Sequence, residues 1–163
     1  PAGKPAVNMP GDRHGPGVRI HPPIIFAASI LAGYGINVLW PLAMPFGRYG
    51  KAVAIALLVT VLVIAGFCLR EFYRAKTDVR PDRPDTALIT TGPYTLSRNP
   101  LYLMLIIVQL MVAAWMNMAW IALTSVASVI IMTRYAIARE ERYLEQLFGQ
   151  DYRDYKARVR RWF

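Results

Sequence analysis

The sequence predicts an all-α polytopic membrane protein with about four transmembrane helices, the last two a short hairpin, followed by cytoplasmic C-terminal helices. Three observations carry that prediction. Hydrophobic residues make up 55% of the 163 positions and charged residues 18%. The apolar residues gather into long blocks without Asp, Glu, Lys or Arg, and the charges crowd between the blocks. Of the 19 Lys and Arg residues, 3 precede Ile24, 6 lie between Arg70 and Arg98, and 8 follow from Arg134 onward. If successive helices alternate, all of these fall on one side of the bilayer, which makes both termini and the central loop cytoplasmic.

The elements follow in order. Residues 1–23 contain six prolines and four glycines, too many for a packed element, and are expected to form a flexible cytoplasmic arm rather than a signal peptide. The remainder, 24–163, reads as a single membrane-embedded domain. Its first apolar block runs from Ile24 to Trp40 and extends through PLAMPF; its second covers Ala52 to Leu69. Each suits a hydrocarbon core of about 30 Å. The third block, Leu101 to Thr133, is too long for one span and short for two. WMNMAW, Trp115 to Trp120, supplies the break, with Asn117 at a turn tip and tryptophans on both sides at the membrane interface.

Chemistry must lie in the polar segments that follow the second and fourth helices, because spans of Ala, Val, Leu and Ile carry no reactive groups. TDVRPDRPDTALITTGPY is broken by prolines and a glycine, so it is not one helix. Asn99 and Pro100 form a helix start. RNPLY reads in two ways at this point: as a cap with Arg98 at the headgroups and Tyr102 in the aromatic belt, or as a helix N-terminus that holds an anionic ligand.

In RYAIAREERYLEQLFG, Ile137, Leu144, Leu147 and Phe148 form one apolar arc, with Arg139, Arg142 and Gln146 opposite. Glu140 and Glu141 fall at the edges of that arc and need compensation, from Arg134 two turns earlier or from a cationic ligand. Gly149 is a helix stop. Beyond it, Tyr152, Tyr155 and Val159 mark a second amphipathic helix, whose Lys156, Arg158, Arg160 and Arg161 with Trp162 and Phe163 suit a membrane surface. Arg158 and Arg160 are also candidates to meet a substrate anion, which spacing alone does not place.

The net charge of +9 flanks spans and is mixed with acids, which favours anionic lipids as partners and argues against nucleic acid. Cys68, the single cysteine, excludes an intrachain disulfide or thiol metal cluster, and no metal site is expected. No nucleotide loop, HExxH or GxGxxG is present. His14 and His21 sit in the N-terminal arm, away from either polar segment.

GPYTLSRNPLYL resembles the GPYxxxRHPxYxG signature of integral-membrane methyltransferases related to isoprenylcysteine carboxyl methyltransferase and phospholipid methyltransferases. REERYLEQLFGQDYRDYKARV resembles their second signature, an EE pair followed by LxxxFGxxYxxYxxxV. The resemblance covers about Pro81 to Val159, so that 81–163 is the cofactor half. It implies that Gly92, Pro93, Tyr94, Arg98, Asn99, Pro100 and Tyr102 help form a pocket for S-adenosylmethionine, closed by Glu140 and Glu141, with Glu141 and Arg158 in catalytic roles. It further implies methyl transfer to a lipophilic acceptor drawn from the bilayer, an isoprenylcysteine-like carboxylate or a phospholipid amine. Two positions depart from the signature: Asn99 stands where His is usual, and Met104 replaces the final glycine. Two other readings stand beside this one: a sterol-type reductase using NADPH, and a non-catalytic adaptor that binds lipids.

Overall fold

The computed structural model describes residues 4–5, 20–75 and 87–162. Among the described residues six α-helices follow one another: α1 (Pro22–Leu39), α2 (Gly50–Ala75), α3 (Pro100–Met116), α4 (Ala119–Met132), α5 (Ala138–Phe148) and α6 (Gln150–Arg158). A turn of 3-10 helix, Gly47–Tyr49, leads into α2, and another, Gly92–Thr95, precedes α3. Lys4–Pro5 (β1) pairs antiparallel with Ala87–Leu88 (β2). The all-α expectation therefore holds, with one two-residue bridge added.

Among the described residues three stretches are long and apolar enough to cross a membrane, Pro22–Leu39, Gly47–Ala75 and Ala119–Phe148, and α3 is a shorter apolar helix. The last stretch is continuous because a π-helical segment, Thr133–Ile137, carries α4 into α5. Two boundaries differ from expectation. The first helix starts at Pro22, where proline is tolerated because the first-turn amides have no partner within the helix. The second continues past Leu69 to Ala75, since REFYRA contains neither glycine nor proline to stop it. Most of the N-terminal arm and the proline-rich stretch 76–86 lie outside the described residues.

The chain divides into two compact units. One gathers Ile20–Val63 with Tyr102–Thr133, the other Ile64–Leu101 with Arg134–Phe163 and the N-terminal segment that carries β1.

In the first unit α1 packs on α4 at Gly33, where an added Cβ would stand 2.7 Å from the Ile121 Cα. Small residues at helix contacts of this kind let backbones approach in a bilayer. Gln109 is fully buried on α3. Its amide nitrogen donates to Ser29 Oγ, Ile121 O and Thr124 Oγ1 at 3.0, 2.9 and 3.1 Å, and its oxygen accepts from Ser128 at 3.2 Å. Polar groups without water must be satisfied this way. Asn117, at φ 55°, makes the expected hairpin tip, and its side chain accepts from the Met44 amide at 3.1 Å. Leu31, Leu62 and Val126 face outward, as the lipid-facing side of a spanning helix requires.

The second unit has its own core, Leu88, Phe148, Tyr152 and Tyr155, flanked by Tyr94, Leu144, Leu147 and Val159. The arc on α5 lies as its spacing predicts, with Ile137 and Phe148 buried and Arg139, Arg142 and Gln146 exposed. Gly149, at φ +54°, ends α5 and caps the start of α6. The membrane-surface role expected for α6 is corrected in one respect. Tyr152 and Tyr155 are 1% and 3% exposed, so the apolar face of this helix is covered by protein and is not free for lipid.

Candidate functional site

The two sequence signatures meet inside the second unit. Gly92 opens the 3-10 turn at φ +61°, and the turn is closed by Thr95 Oγ donating to Gly92 O at 2.7 Å. Pro93 accepts from the Leu96 and Ser97 amides at 3.2 and 3.3 Å. The Tyr94 ring stands edge-on to Phe72, 6.1 Å between centroids, and its carbonyl accepts from the Tyr155 hydroxyl at 2.7 Å. A helix end from one signature is thereby tied to the turn of the other.

Beneath the turn lies Glu71, a residue that sequence reasoning missed. It is 7% exposed and accepts the Thr91 hydroxyl, and exposed Arg74 stands 3.6 Å from its other oxygen. A Cβ on Gly92 would come within 2.9 Å of Glu71 Cγ. The only signal in the sequence was an acid directly after an apolar span, and its place on α2 became visible only because the helix runs on.

Charge concentrates at Glu141. The Arg161 guanidinium grips this carboxylate through Nε at 2.9 Å and Nη2 at 2.5 Å, and Arg98 Nη2 stands 3.3 Å from Oε1. The side chains of Arg98 and Glu141 are 9% and 8% exposed, that of Arg161 36%. One carboxylate thus faces two guanidiniums, and the cluster carries a net positive charge. Arg98 Nε and Nη1 are buried donors with no well-aligned hydrogen-bond partner among the described residues, and the Tyr152 hydroxyl lies close enough to interact with the same guanidinium. Buried donors are rarely left unsatisfied, because each forfeits its hydration.

The charges act on their neighbours. Burial, reinforced by the Glu141 charge and opposed by Arg98, pushes the Tyr152 hydroxyl from 10.0 up to about 12. Tyr155 is pushed up further, by burial first and by Tyr152 second. The hydrogen bond that Arg161 donates to Glu141 raises Arg161 beyond its already high value, against the effect of burial. Both tyrosines are neutral and Arg161 is charged across the physiological range.

Backbone contacts lock the C-terminal segment to this cluster. Ser97 Oγ and Asn99 Nδ2 both donate to the Arg161 carbonyl, at 3.1 and 3.0 Å, and the Arg98 amide donates to the Arg160 carbonyl at 3.1 Å. Asn99, expected at the cofactor, is 8% exposed and spends its amide on this clamp.

Placement of the remaining expected residues is mixed. Arg98 is buried rather than at the headgroups, because Glu141 draws it inward. Glu141 is bound by Arg98 and Arg161, not by Arg134, whose side of the helix is exposed. Glu140 is half-buried at the neighbouring position. Pro100 is buried at the start of α3, and Tyr102 is 8% exposed within the other unit, so it does not stand in a lipid-facing belt. Arg158 is exposed and donates through Nε to Asp154 O of its own helix at 3.2 Å, leaving Arg161 as the C-terminal cation that reaches the cluster. Among the described residues no group of His, Cys, Asp and Glu forms a metal site.

Apolar helices of spanning length, joined to a buried arginine–carboxylate cluster, define an integral membrane protein with a polar site in the unit that carries its last helices. Residues 51–151, more than half of the chain, match the sequence pattern of the phospholipid methyltransferase family. The chain belongs to that family and is a membrane methyltransferase of the phospholipid and isoprenylcysteine type. A Haemophilus influenzae protein, described only as uncharacterized, is 39% identical over 64 residues, which make up 38% of this chain and 98% of that protein. No solved structure gives a significant match.

Proposed function

We propose that the protein transfers methyl groups from S-adenosylmethionine, bound on the cytoplasmic side, to a lipophilic acceptor that enters from the bilayer. The observation that carries the reading is Arg98, a guanidinium 9% exposed whose Nε and Nη1 have no well-aligned partner among the described residues. Buried guanidinium donors call for an anionic or carbonyl acceptor, and the cofactor carries a carboxylate that can take one of them in a charge-assisted hydrogen bond. Bound there, the cofactor supplies an electrophilic methyl on a sulfonium.

The residues of the chain hold and shield rather than move protons. Arg98 pairs with the carboxylate, and the half-buried Tyr94 of the turn provides an aromatic surface suited to a sulfonium. Burial of the cluster keeps water from the reacting centre. Glu141, which the sequence cast as the ligand of a cationic group and as a catalytic residue, is committed to the two arginines, so its role is to orient Arg98. Asn99 does not titrate, and the tyrosines ionise far above neutral pH, which suits an acceptor already in its nucleophilic form. An isoprenylcysteine-like carboxylate meets that condition directly, and a phospholipid amine meets it once deprotonated.

The test is binding and transfer by the purified protein in lipid nanodiscs. S-adenosylmethionine should bind, Arg98→Ala should weaken it by about tenfold or more, and labelled methyl should enter a component of a total lipid extract identified by mass. Absence of binding in every lipid composition tried refutes the reading. Binding of NADPH instead points to a reductase, and binding of anionic vesicles with neither cofactor points to an adaptor.

A further inference from the structure

We infer that Arg161 is a positioning residue for the carboxylate of the ligand, acting through Glu141 on Arg98. The inference rests on the cofactor reading above and extends it to a residue beyond both signatures.

Arg161 is held from two directions. Its carbonyl accepts from Ser97 Oγ and Asn99 Nδ2, at 3.1 and 3.0 Å, and Ser97 Oγ also accepts the Asn99 amide at 3.1 Å. With the Arg160 carbonyl bound to the Arg98 amide, the last residues run beside the loop that carries Arg98. The guanidinium of Arg161 then takes both oxygens of Glu141. A bidentate pair of this kind fixes the plane of the carboxylate.

The consequence falls on Arg98. A carboxylate accepts at both oxygens, and alone with a buried guanidinium it forms two parallel hydrogen bonds. Here Arg161 holds that geometry, and Arg98 meets Glu141 through Nη2 only, at 3.3 Å. Nε and Nη1, on opposite edges of the guanidinium, are left without a well-aligned partner. Arg161 also supplies the second positive charge, without which the cluster would be neutral and would not attract an anion into a poorly hydrated site. Removing Arg161 lets Glu141 turn fully onto Arg98 and take, beside Nη2, one of the two donors left for the ligand.

Asn99 belongs to the same device. Its amide nitrogen donates to a carbonyl, a task that a neutral imidazole N–H also performs, and that a carboxylate at the same place opposes by repulsion. The residue type at this position is therefore set by a donor requirement.

The experiment compares two ligands on the purified full chain in nanodiscs by calorimetry: S-adenosylmethionine and its decarboxylated analogue, which keeps the sulfonium and adenosine and lacks the carboxylate. Wild type should prefer the intact cofactor. Arg161→Ala should weaken the intact cofactor by about tenfold or more and change the analogue little. Asn99→Asp should act in the same direction, and Asn99→His should keep the wild-type preference. Equal weakening of both ligands by Arg161→Ala would mark a general structural role and overturn the inference, as would no effect on either. A wild type that binds both equally shows that Arg98 does not receive the carboxylate, and a wild type that binds neither removes the cofactor reading itself. Should Arg161→Ala fail to fold, Arg161→Lys, which keeps the charge and loses the bidentate grip, should show the same ligand-dependent loss in smaller degree, and an equal loss for both ligands again overturns the inference.

Discussion

Replacing Gly92 with alanine tests the support beneath the first signature, because two separable penalties act at that one Cβ. The first is conformational: Gly92 has φ +61°, and an L-residue in that region costs about 1–2 kcal/mol. The second is steric. The new Cβ would stand 2.9 Å from Glu71 Cγ, 3.2 Å from Cδ and 3.4 Å from Oε1, so the Glu71 side chain must move. In moving it gives up the Thr91 hydroxyl, a hydrogen bond to a charged group worth roughly 1.5–3 kcal/mol.

Gly92→Ala should therefore destabilise by about 2.5–5 kcal/mol in the wild-type background. In a Glu71→Ala background only the conformational part remains, about 1–2 kcal/mol. The assay is unfolding by SDS in mixed micelles, followed by tryptophan fluorescence, on the four members of the double-mutant cycle. A cost for Gly92→Ala that is the same in both backgrounds, within about 0.5 kcal/mol, would refute the contact between Glu71 and the turn.

Three further outcomes are expected. Tyr155→Phe deletes the hydroxyl that donates to Tyr94 O and should cost about 1 kcal/mol, read as a lower midpoint for thermal exposure of the buried thiol of Cys68 to a thiol-reactive dye; an unchanged midpoint would count against the bond. The raised pKa of Tyr152, 10.0 to about 12, means that its contribution to stability is complete below pH 10 and is lost as pH rises through about 12. Ultraviolet titration of tyrosinate should show Tyr152 and Tyr155 ionising last, and their ionisation with the exposed tyrosines would contradict the buried placement. Gln109→Leu strands the partners of a satisfied buried amide and should destabilise by roughly 1–2 kcal/mol in the SDS assay, whereas a neutral result would mean that its network adds nothing over apolar packing.

Much of the fold was legible because it follows from local physics. A run such as AVAIALLVTVLVIAGFCL has few structural choices in a bilayer, where every backbone group must be satisfied within the segment. The hairpin tip at Asn117, the stop at Gly149 and the buried face of α5 are likewise settled by neighbours a few residues apart. The site was legible only in its membership. The signatures brought Arg98 and Glu141 to notice, but the partner of Glu141 is decided by side chains distant in sequence, and the nearby Arg134 was the natural candidate.

What the sequence determined by itself is the class of molecule and the two segments that carry its chemistry: apolar blocks, clustered cations and a turn-rich stretch ending in Asn99 and Pro100. What only the tertiary structure decided is who meets whom. Arg161 reaches Glu141 from 20 residues away, and Ser97 and Asn99 reach the Arg161 carbonyl from 64 and 62. Glu71 supports Thr91 from 20. The physical reason is the range of the forces: a helix or a turn is specified within a few residues, whereas a buried charge is tolerated only where the fold brings a counter-charge to it.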